Sequence, residues 1–467
     1  MLTCQHAGFL CIIIFMNINE FEQRLYNLLL NHLNQQYDFK EYEILLDYEN
    51  NSILNYVLSH AYFVSGDMKN AEKYRDKAKT LNNNFDFEDE YKDIFLYIYY
   101  LFSTITTQEV PFLDDEIERL ITLDSTVEDY LRASELYRNS NYISNSIRLI
   151  KNAIEEFPDE ISLKMDLASN LLYTRNIDKA WAYNEIRFDL YRNKLPQFIN
   201  KKKFNLQNTS AKVYVYPVTK LGDTIFFSRF LFKLKQDYPN LKFFVTVDES
   251  LKELFRENGI NTYNKVDKTM VDYQLSFEGL PYLYRENDTQ ILSKGYLKAN
   301  KKKSELLKNK YFNTKKLKIG VVWNSSKSQD ERNVQLKDFE ELFSIQNIQF
   351  YSLQKEVSLY DKLFLSKFMI VNMSDKIIDF SDTAAIIDNL DMVIGCDTSV
   401  TNLSGAMGKE TLLLLPNHAD WRWGLFEQNS KWYNSVKLYR QKENQGYKEV
   451  VGRVKKYIKT KKACLDL

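Results

Sequence analysis

The feature that most constrains the fold is a change of hydrophobic pattern at about residue 210. From there, short runs rich in Val, Tyr, Phe, Ile and Leu alternate with longer segments whose apolar residues recur at helical spacing. The first run is AKVYVYPV at residues 211–218, and the first helical segment is TIFFSRFLFKLKQDYP at residues 224–239. Such alternation predicts β-α-β units, in which helices cover a parallel sheet.

The alternation occurs twice, which predicts two doubly wound, Rossmann-like halves. A Lys-rich segment at residues 294–318 separates them, and we interpret it as a solvated linker because charge runs usually lie in solvent. The pattern restarts with LKIGVVWN and continues to TLLLLP at residues 411–416. We therefore place one half at residues 206–310 and the other at 311–445. In such sheets ligands bind outside the carboxyl ends of the strands.

The first 200 residues have a purely helical pattern. In residues 53–84, Gly66 marks a turn, and Ala71 and Ala78 recur on the helix that follows. Two similar stretches follow later in the chain. The pattern resembles the tetratricopeptide repeat, whose period is about 34 residues. We predict a TPR-like helical array over residues 19–205, which either presents a concave surface to a partner or only supports the next domain.

The two ends of the chain are treated separately. Residues 8–16, GFLCIIIFM, are apolar but too short to span a bilayer, and no Lys or Arg precedes them. We take residues 1–18 as an extension and favour translation from Met16, with a short uncleaved anchor as the alternative. Residues 446–467 are predicted to form a basic C-terminal helix.

Composition excludes several classes of protein. The 63 basic and 63 acidic residues balance, so no overall positive field indicates nucleic acid as a partner. The four Cys and four His are scattered, which argues against a disulfide framework or a zinc site. We expect a cytoplasmic protein without stable membrane insertion.

The segment VIGCDTSVTNLSGAMGK at residues 393–409 has the strongest chemical signal. An apolar run ends at Cys396, and Asp397, Thr398 and Ser399 then lead into small residues at helical spacing. The N-terminus of a helix offers free N–H groups and a partial positive charge, which suit a phosphate. The alternative is simple N-capping with tight packing of the helix.

Further motifs follow in a specific order. They are Asp397-Thr398, Leu403-Ser404-Gly405-Ala406, Gly408-Lys409, Leu414-Leu415-Pro416 and Asp420-Trp421-Arg422-Trp423. Upstream stand KAWAYNEIRF, LGDTIFFSRFL, IGVVWNSSKSQDERN and FYSLQKE, in that order. Together they resemble bacterial tetratricopeptide-linked glycosyltransferases, relatives of the ADP-heptose:lipopolysaccharide heptosyltransferases and, more distantly, of O-GlcNAc transferase. The resemblance covers about residues 125–445.

Two positions depart from the family pattern. Thr401-Asn402 stands where relatives usually carry Ala-His, and Glu410 stands where they carry Pro after Gly-Lys. An Asn at position 402 can form hydrogen bonds but cannot accept a proton as a His does.

The resemblance implies a GT-B fold and an inverting, metal-independent transfer from a nucleotide-diphosphate sugar, with no cofactor. The leaving diphosphate needs positive charge, which Thr398 and Ser399 at the helix N-terminus would supply. Lys327 and Arg332 are candidates to add to it, although either residue can simply face solvent. Asn402 is counted with the residues that bind the donor.

A base must remove the proton of the acceptor hydroxyl, and Asp223 is the candidate. Its alternative role is the N-cap of a helix beginning at Thr224. Gln354, at a strand end, suits the nucleotide base. Asp397 could hold sugar hydroxyls or stabilise a turn. Trp421 and Arg422 could close over the donor or serve only in packing.

Two other functions remain open at this stage. One is a non-catalytic scaffold, in which a degenerate transferase fold is retained and the repeats bind protein. The other is a sugar-nucleotide epimerase or phosphorylase of the same fold, which would have no need of a partner surface. The glycosyltransferase hypothesis expects a nucleotide sugar as donor and a protein or glycan acceptor held by the repeats.

Overall fold

The computed structural model describes most of the chain. The described residues are 24–25, 27–29, 31–32, 36–48, 52–81, 117, 121, 125–186, 201–284, 293–325, 332–442 and 445–464. The apolar segment 8–16 and Lys327 lie outside them. Two compact units are present: Met1–Ile186 with Asp420–Glu427, and Arg187–Ala419 with Gln428–Leu467. The range predicted for the C-terminal half includes the segment Asp420–Glu427, which here belongs to the helical unit.

The described residues before position 187 are largely helical, as the sequence predicted. The helices are α1 (Phe39–Tyr48), α2 (Ser52–Val64), α3 (Met68–Leu81), α4 (Val127–Asn139), α5 (Ile143–Glu156), α6 (Ile161–Tyr173) and α7 (Ile177–Asn184). Consecutive helices pack in pairs: α2 with α3, α4 with α5, and α6 with α7. Gly66 turns the chain between α2 and α3 with a φ of 87°. That these pairs are tetratricopeptide repeats stays a prediction.

A polar cluster lies between helices α4, α5 and α6. The Asn170 side chain is fully buried and donates to Ser146 Oγ at 2.7 Å and to Asp166 Oδ2 at 3.1 Å. Arg138 donates to Asp166 Oδ1 at 2.7 Å. Ser134 contacts the same carboxylate. Because the hydrogen-bonding groups are paired with one another, the cluster can stay buried without a large desolvation cost.

The second unit begins with a four-stranded parallel sheet of order β1-β4-β2-β3. Its strands are β1 (Lys202–Lys203), β2 (Lys212–Tyr216), β3 (Lys242–Val245) and β4 (Tyr273–Ser276), and its helices are α8 (Leu221–Asp237) and α9 (Glu249–Glu257). Residues 213–216 of the central strand β2 are buried, which explains why this strand is a continuous apolar and aromatic run.

A six-stranded parallel sheet of order β10-β9-β8-β5-β6-β7 follows. Its strands are β5 (Leu317–Val322), β6 (Ile348–Ser352), β7 (Val371–Asn372), β8 (Met392–Cys396), β9 (Thr411–Leu415) and β10 (Val436–Arg440). Its helices are α11 (Glu340–Phe343), α12 (Leu359–Lys367), α13 (Phe380–Asp388), α14 (Ser399–Ala406) and α15 (Tyr447–Cys464). Both sheets confirm the predicted α/β class with parallel strands.

The linker prediction for residues 294–318 is wrong over much of its length, because Lys301–Tyr311 forms a helix, α10. Asn300 caps it by accepting the N–H groups of Lys302 and Lys303. The Lys303 ammonium lies 3.1 Å from a carboxylate oxygen of Asp382, and Ser304 is buried against the next helical layer. The Lys residues therefore belong to an amphipathic surface helix. The charge pattern alone does not distinguish such a helix from a solvated linker.

Among the described residues, no helix is both long and apolar enough to cross a membrane. Within the same residues, no cluster of three or more His, Cys, Asp or Glu could hold a metal ion.

Candidate active site

Two helix N-termini, one from each α/β half, meet in the second unit. Helix α8 follows strand β2, and helix α14 follows strand β8. A Cβ atom added to Gly222 would lie 3.5 Å from the Cα of Ser399, so the two helix ends are in van der Waals contact. Because each helix N-terminus has a partial positive charge, their convergence favours a negatively charged ligand.

The turn before α14 is held rigidly by its own side chains. The Asn402 amide donates to Thr398 O at 3.0 Å and to Asp397 Oδ1 at 3.4 Å. The Thr398 N–H donates to Thr401 Oγ1 at 3.0 Å, and that hydroxyl donates to Cys396 O at 3.0 Å. Thr398 Oγ1 is buried, and among the described residues no hydrogen-bond partner faces it.

Arg332, a candidate from the sequence, lies at this turn. Its Nη1 atom donates to Asp397 O at 3.4 Å and lies 3.9 Å from Asp397 Oδ2. The Arg332 side chain is 37% exposed, whereas that of Asp397 is 10% exposed. The buried carboxylate thus orients a cation that remains accessible to a ligand. This geometry gives Asp397 a partner that the sequence did not identify.

Asp223 is the third residue of α8, so the alternative N-cap role is wrong. The helix begins at Leu221, and Lys220 occupies the N-cap position with an extended backbone. The Asp223 carboxylate accepts the Lys220 N–H at 3.4 Å. A carboxylate in the first turn of a helix is stabilised as an anion by the helix dipole.

Gln354 is 9% exposed and anchors the loop that follows strand β5. Its Oε1 accepts the Asn324 N–H at 3.1 Å, and its Nε2 donates to Asn324 O at 3.3 Å. The side chain predicted to face the nucleotide base therefore makes both of these bonds to the backbone of the neighbouring strand end.

Glu278 has the equivalent role in the N-terminal half, and the sequence analysis did not identify it. The carboxylate is 2% exposed and accepts the Thr219 N–H at 2.9 Å and the Thr219 hydroxyl at 2.6 Å. It thereby holds the loop between β2 and α8. Glu278 lies in a stretch without regular hydrophobic spacing, and only the pairing of β4 with β2 places it beside this loop.

Glu410, one of the two departures from the family pattern, contacts the C-terminal helix α15. Its carboxylate accepts the Tyr457 hydroxyl at 2.7 Å and also pairs with Lys461. The side chain is thus a packing link between strand β9 and helix α15.

Trp421 and Arg422 belong to the helical unit. The Trp421 ring makes an edge-to-face contact with Trp181, with centroids 5.7 Å apart. Arg422 donates to Asp420 Oδ1 at 2.7 Å, and its guanidinium carbon lies 4.7 Å from the Trp421 centroid. Glu427, at the end of the same segment, is 3.6 Å from Arg175. The segment therefore packs on the last helix pair.

The glycine at position 405 is explained by packing. A Cβ atom there would lie 2.7 Å from Cγ of the buried Tyr433 ring. We expect Gly405→Ala to lower the free energy of unfolding by about 1–3 kcal/mol through overpacking. Gly452, within α15, is the matched control, because no atom lies within 4 Å of its added Cβ.

We expect Gly452→Ala to raise the free energy of unfolding by about 0.4–1 kcal/mol, since Ala restricts the unfolded chain. Urea denaturation of the two variants beside the wild type measures both effects. Equal stability of the two variants would show that the Gly405 contact is not tight.

No family model matches the chain, and no curated protein matches it. A solved structure of a glycosyl transferase family 9 protein from Veillonella parvula DSM 2008 is 12% identical with a TM-score of 0.43, over 55% of this chain and 98% of that chain. The E. coli ADP-heptose lps heptosyltransferase II is 11% identical with a TM-score of 0.39, over 53% and 98% of the two chains.

A Thermobaculum terrenum O-GlcNAc transferase mutant aligns over 98% of this chain and 94% of that chain, at 10% identity and a TM-score of 0.27. Likenesses this distant establish neither fold nor activity. What defines the site is the contact between two helix N-termini at the carboxyl ends of two parallel sheets.

Proposed function

We propose that this chain is a GT-B glycosyltransferase that moves a sugar from a nucleotide-diphosphate sugar to a hydroxyl group of a protein or surface glycan. The transfer inverts the anomeric centre and uses no metal or cofactor. The observation that carries the proposal is the contact between Gly222 and Ser399, which brings the N-termini of α8 and α14 together. An acid-base residue and a cation, Asp223 and Arg332, accompany these helix ends.

In the proposed reaction the bond between the anomeric carbon and the diphosphate oxygen breaks, and the diphosphate leaves with additional negative charge. The free N–H groups at the start of α14 and the Arg332 guanidinium stabilise that charge. Asp397 does not bind the diphosphate, since two anions would repel. Its role is to hold Arg332 in place, and its contact with sugar hydroxyls stays an expectation.

The acceptor hydroxyl attacks from the opposite face of the sugar ring and gives its proton to the Asp223 carboxylate. A carboxylate can accept that proton in the transition state, and its place at the start of α8 puts it beside the N-terminus of α14. Glu278 supports the step indirectly because it fixes the loop at residues 218–219 from which α8 starts.

Gln354 contributes by holding the loop after β5, against which the nucleotide base is proposed to bind. The helical repeats are proposed to present the acceptor, and a cytoplasmic location follows from the expected donor. The second candidate, a non-catalytic scaffold, would keep this packing but would need neither the exposed Arg332 nor Asp223.

The proposal predicts that a nucleotide protects the C-terminal half. Hydrogen exchange of the full chain, with UDP, GDP or ADP present, should slow most at residues 397–405, because the diphosphate would bind the N–H groups of α14. Residues 242–257, on β3 and α9, are the internal reference and should not change. Protection confined to residues 211–260 would reverse the assignment of donor and acceptor halves.

A further inference from the structure

A buried arginine on α8 has no part in the proposed chemistry. Arg229 follows Asp223 by less than two turns and is fully inaccessible to solvent. Its partners among the described residues include aromatic rings, backbone carbonyl groups and the Tyr433 hydroxyl. Burying a cation in this way costs several kcal/mol, and ring faces offset only part of the cost.

The guanidinium joins the two α/β halves. Its Cζ atom lies 4.3 Å from the ring centroids of Phe226, on α8, and of Tyr433, in the segment before β10. Its Nε donates to Phe226 O at 2.9 Å, and its Nη1 donates to Trp432 O. One side chain therefore fixes residues 432–433 against helix α8.

Tyr433 extends this connection to α14. Its ring lies on Gly405, and its hydroxyl donates to Asn402 Oδ1 at 3.1 Å. Burial raises the pKa of Tyr433 well above its usual value, so the hydroxyl is a neutral donor at any ordinary pH.

Asn402 completes the path to the turn. While its Oδ1 accepts from Tyr433, its Nδ2 donates to Thr398 O and to Asp397 Oδ1. The amide is 5% exposed, and the hydrogen bonds orient it unambiguously. A continuous series of contacts thus runs from the interior of α8 to the turn that precedes α14.

We propose that Arg229 and Tyr433 are positioning residues for the turn that binds the diphosphate. They fix the Asn402 side chain, which in turn fixes the backbone of Asp397 and Thr398. The proposal rests on the proposed function for its catalytic meaning, but its structural content can be measured without any substrate. It assigns the residue at position 402 a structural role at the centre of the turn rather than a role in proton transfer.

The test compares two buried tyrosines in the full-length chain. Tyr433→Phe removes the hydroxyl that reaches Asn402 and that also hydrogen-bonds with Arg229 and Tyr296. Tyr351→Phe is the matched control, because Tyr351 is equally buried and its hydroxyl donates to Tyr311 O at 3.0 Å, away from α14. Amide hydrogen exchange of residues 397–406 is measured without nucleotide in both variants.

We expect exchange at residues 397–406 to become about threefold to tenfold faster in Tyr433→Phe, because the hydrogen bond that orients Asn402 is lost. In Tyr351→Phe it should stay at the wild-type rate. Exchange that is unchanged in Tyr433→Phe, or equally faster in both variants, would overturn the proposal.

Arg229→Met is a second variant, which removes the cation but keeps an apolar side chain of similar length. We expect faster exchange at residues 397–406 with a melting temperature near that of the wild type, since the cost of burying the cation disappears as well. A wild-type exchange rate in a folded Arg229→Met protein would contradict the positioning role of Arg229. If Arg229→Met does not fold, the result for Tyr433→Phe tests the proposal.

Nucleotide affinity separates this proposal from the proposed function. Dissociation constants for UDP, GDP and ADP should rise about threefold to tenfold in Tyr433→Phe and stay constant in Tyr351→Phe. If the wild-type protein binds none of the three nucleotides while the exchange rates differ as expected, the proposed function fails and the positioning role stands.

Discussion

Asp223→Asn should lose sugar transfer by about 10²–10⁴-fold while the protein keeps its stability and its affinity for nucleotide. The side chain occupies the third position of α8, where Asn is a similar size to Asp but cannot accept a proton from the acceptor. The loss should therefore appear in kcat for transfer. Steady-state transfer rates, melting temperature and nucleotide binding, measured together, test the expectation.

The matched control for that variant is Asp248→Asn. Asp248 caps the neighbouring helix α9 in the same half by accepting the Ser250 N–H at 2.9 Å. Asp248→Asn should melt near the wild-type temperature because Asn caps a helix about as well as Asp. Asp223→Asn should do so as well, because its carboxylate accepts the Lys220 N–H only at 3.4 Å. Full transfer activity in Asp223→Asn would remove this residue from the mechanism and leave it a role only in the first turn of α8.

Arg332→Met should lower kcat/KM by about 10²-fold, because one positive group facing the leaving diphosphate is lost. The effect on stability should be small, since the Arg332 side chain is 37% exposed and its carboxylate partner lies 3.9 Å away. Kinetics with the nucleotide sugar, together with a thermal melt, separate the two effects.

Arg256→Met provides the control, because Arg256 is also exposed and also lies 3.9 Å from a carboxylate, that of Glu253. Arg256 lies near the end of α9, and among the described residues no contact joins it to the turn at residue 397, so transfer should be unaffected. Equal activity losses in the two variants would mean that Arg332 acts only through general surface charge.

The sequence predicted the layers of the fold well, for a physical reason. Strands such as β8 and β9 are buried on both faces, so each is a run of apolar residues that periodicity can detect. Strand β10, with the sequence VKLYR, was missed because its polar and apolar residues alternate like those of many surface segments. The sequence of α10 predicts a linker, because it is rich in Lys and only a narrow face of the helix is buried.

The candidate site was predicted less completely. Asp397 and Thr398 are neighbours in sequence at a strand end, whereas Arg332 lies 65 residues earlier and is brought near them by the pairing of β5 with β8. Glu278 could not be found, since only the pairing of β4 with β2 places it beside Thr219. The burial of Arg229 could not be predicted from the sequence either, because a lone Arg in a helix is usually exposed.

The packing of Asp420–Glu427 also depends on tertiary contacts. Local sequence shows two Trp beside an Arg, a pattern that serves ligand binding and packing equally well. Contact with Trp181, more than 200 residues earlier in the chain, is what places Trp421 in the helical unit.

The most direct test of the proposed function is the release of nucleotide diphosphate by the purified full-length protein. A panel of UDP-, GDP- and ADP-sugars is incubated with and without EDTA, beside Asp223→Asn. With water as the acceptor, the proposal predicts that the wild type releases the diphosphate and the free sugar from one class of donor at the same rate in EDTA, and that this release is largely lost in the variant. No release from any donor, or release that Asp223→Asn leaves unchanged, would contradict the account.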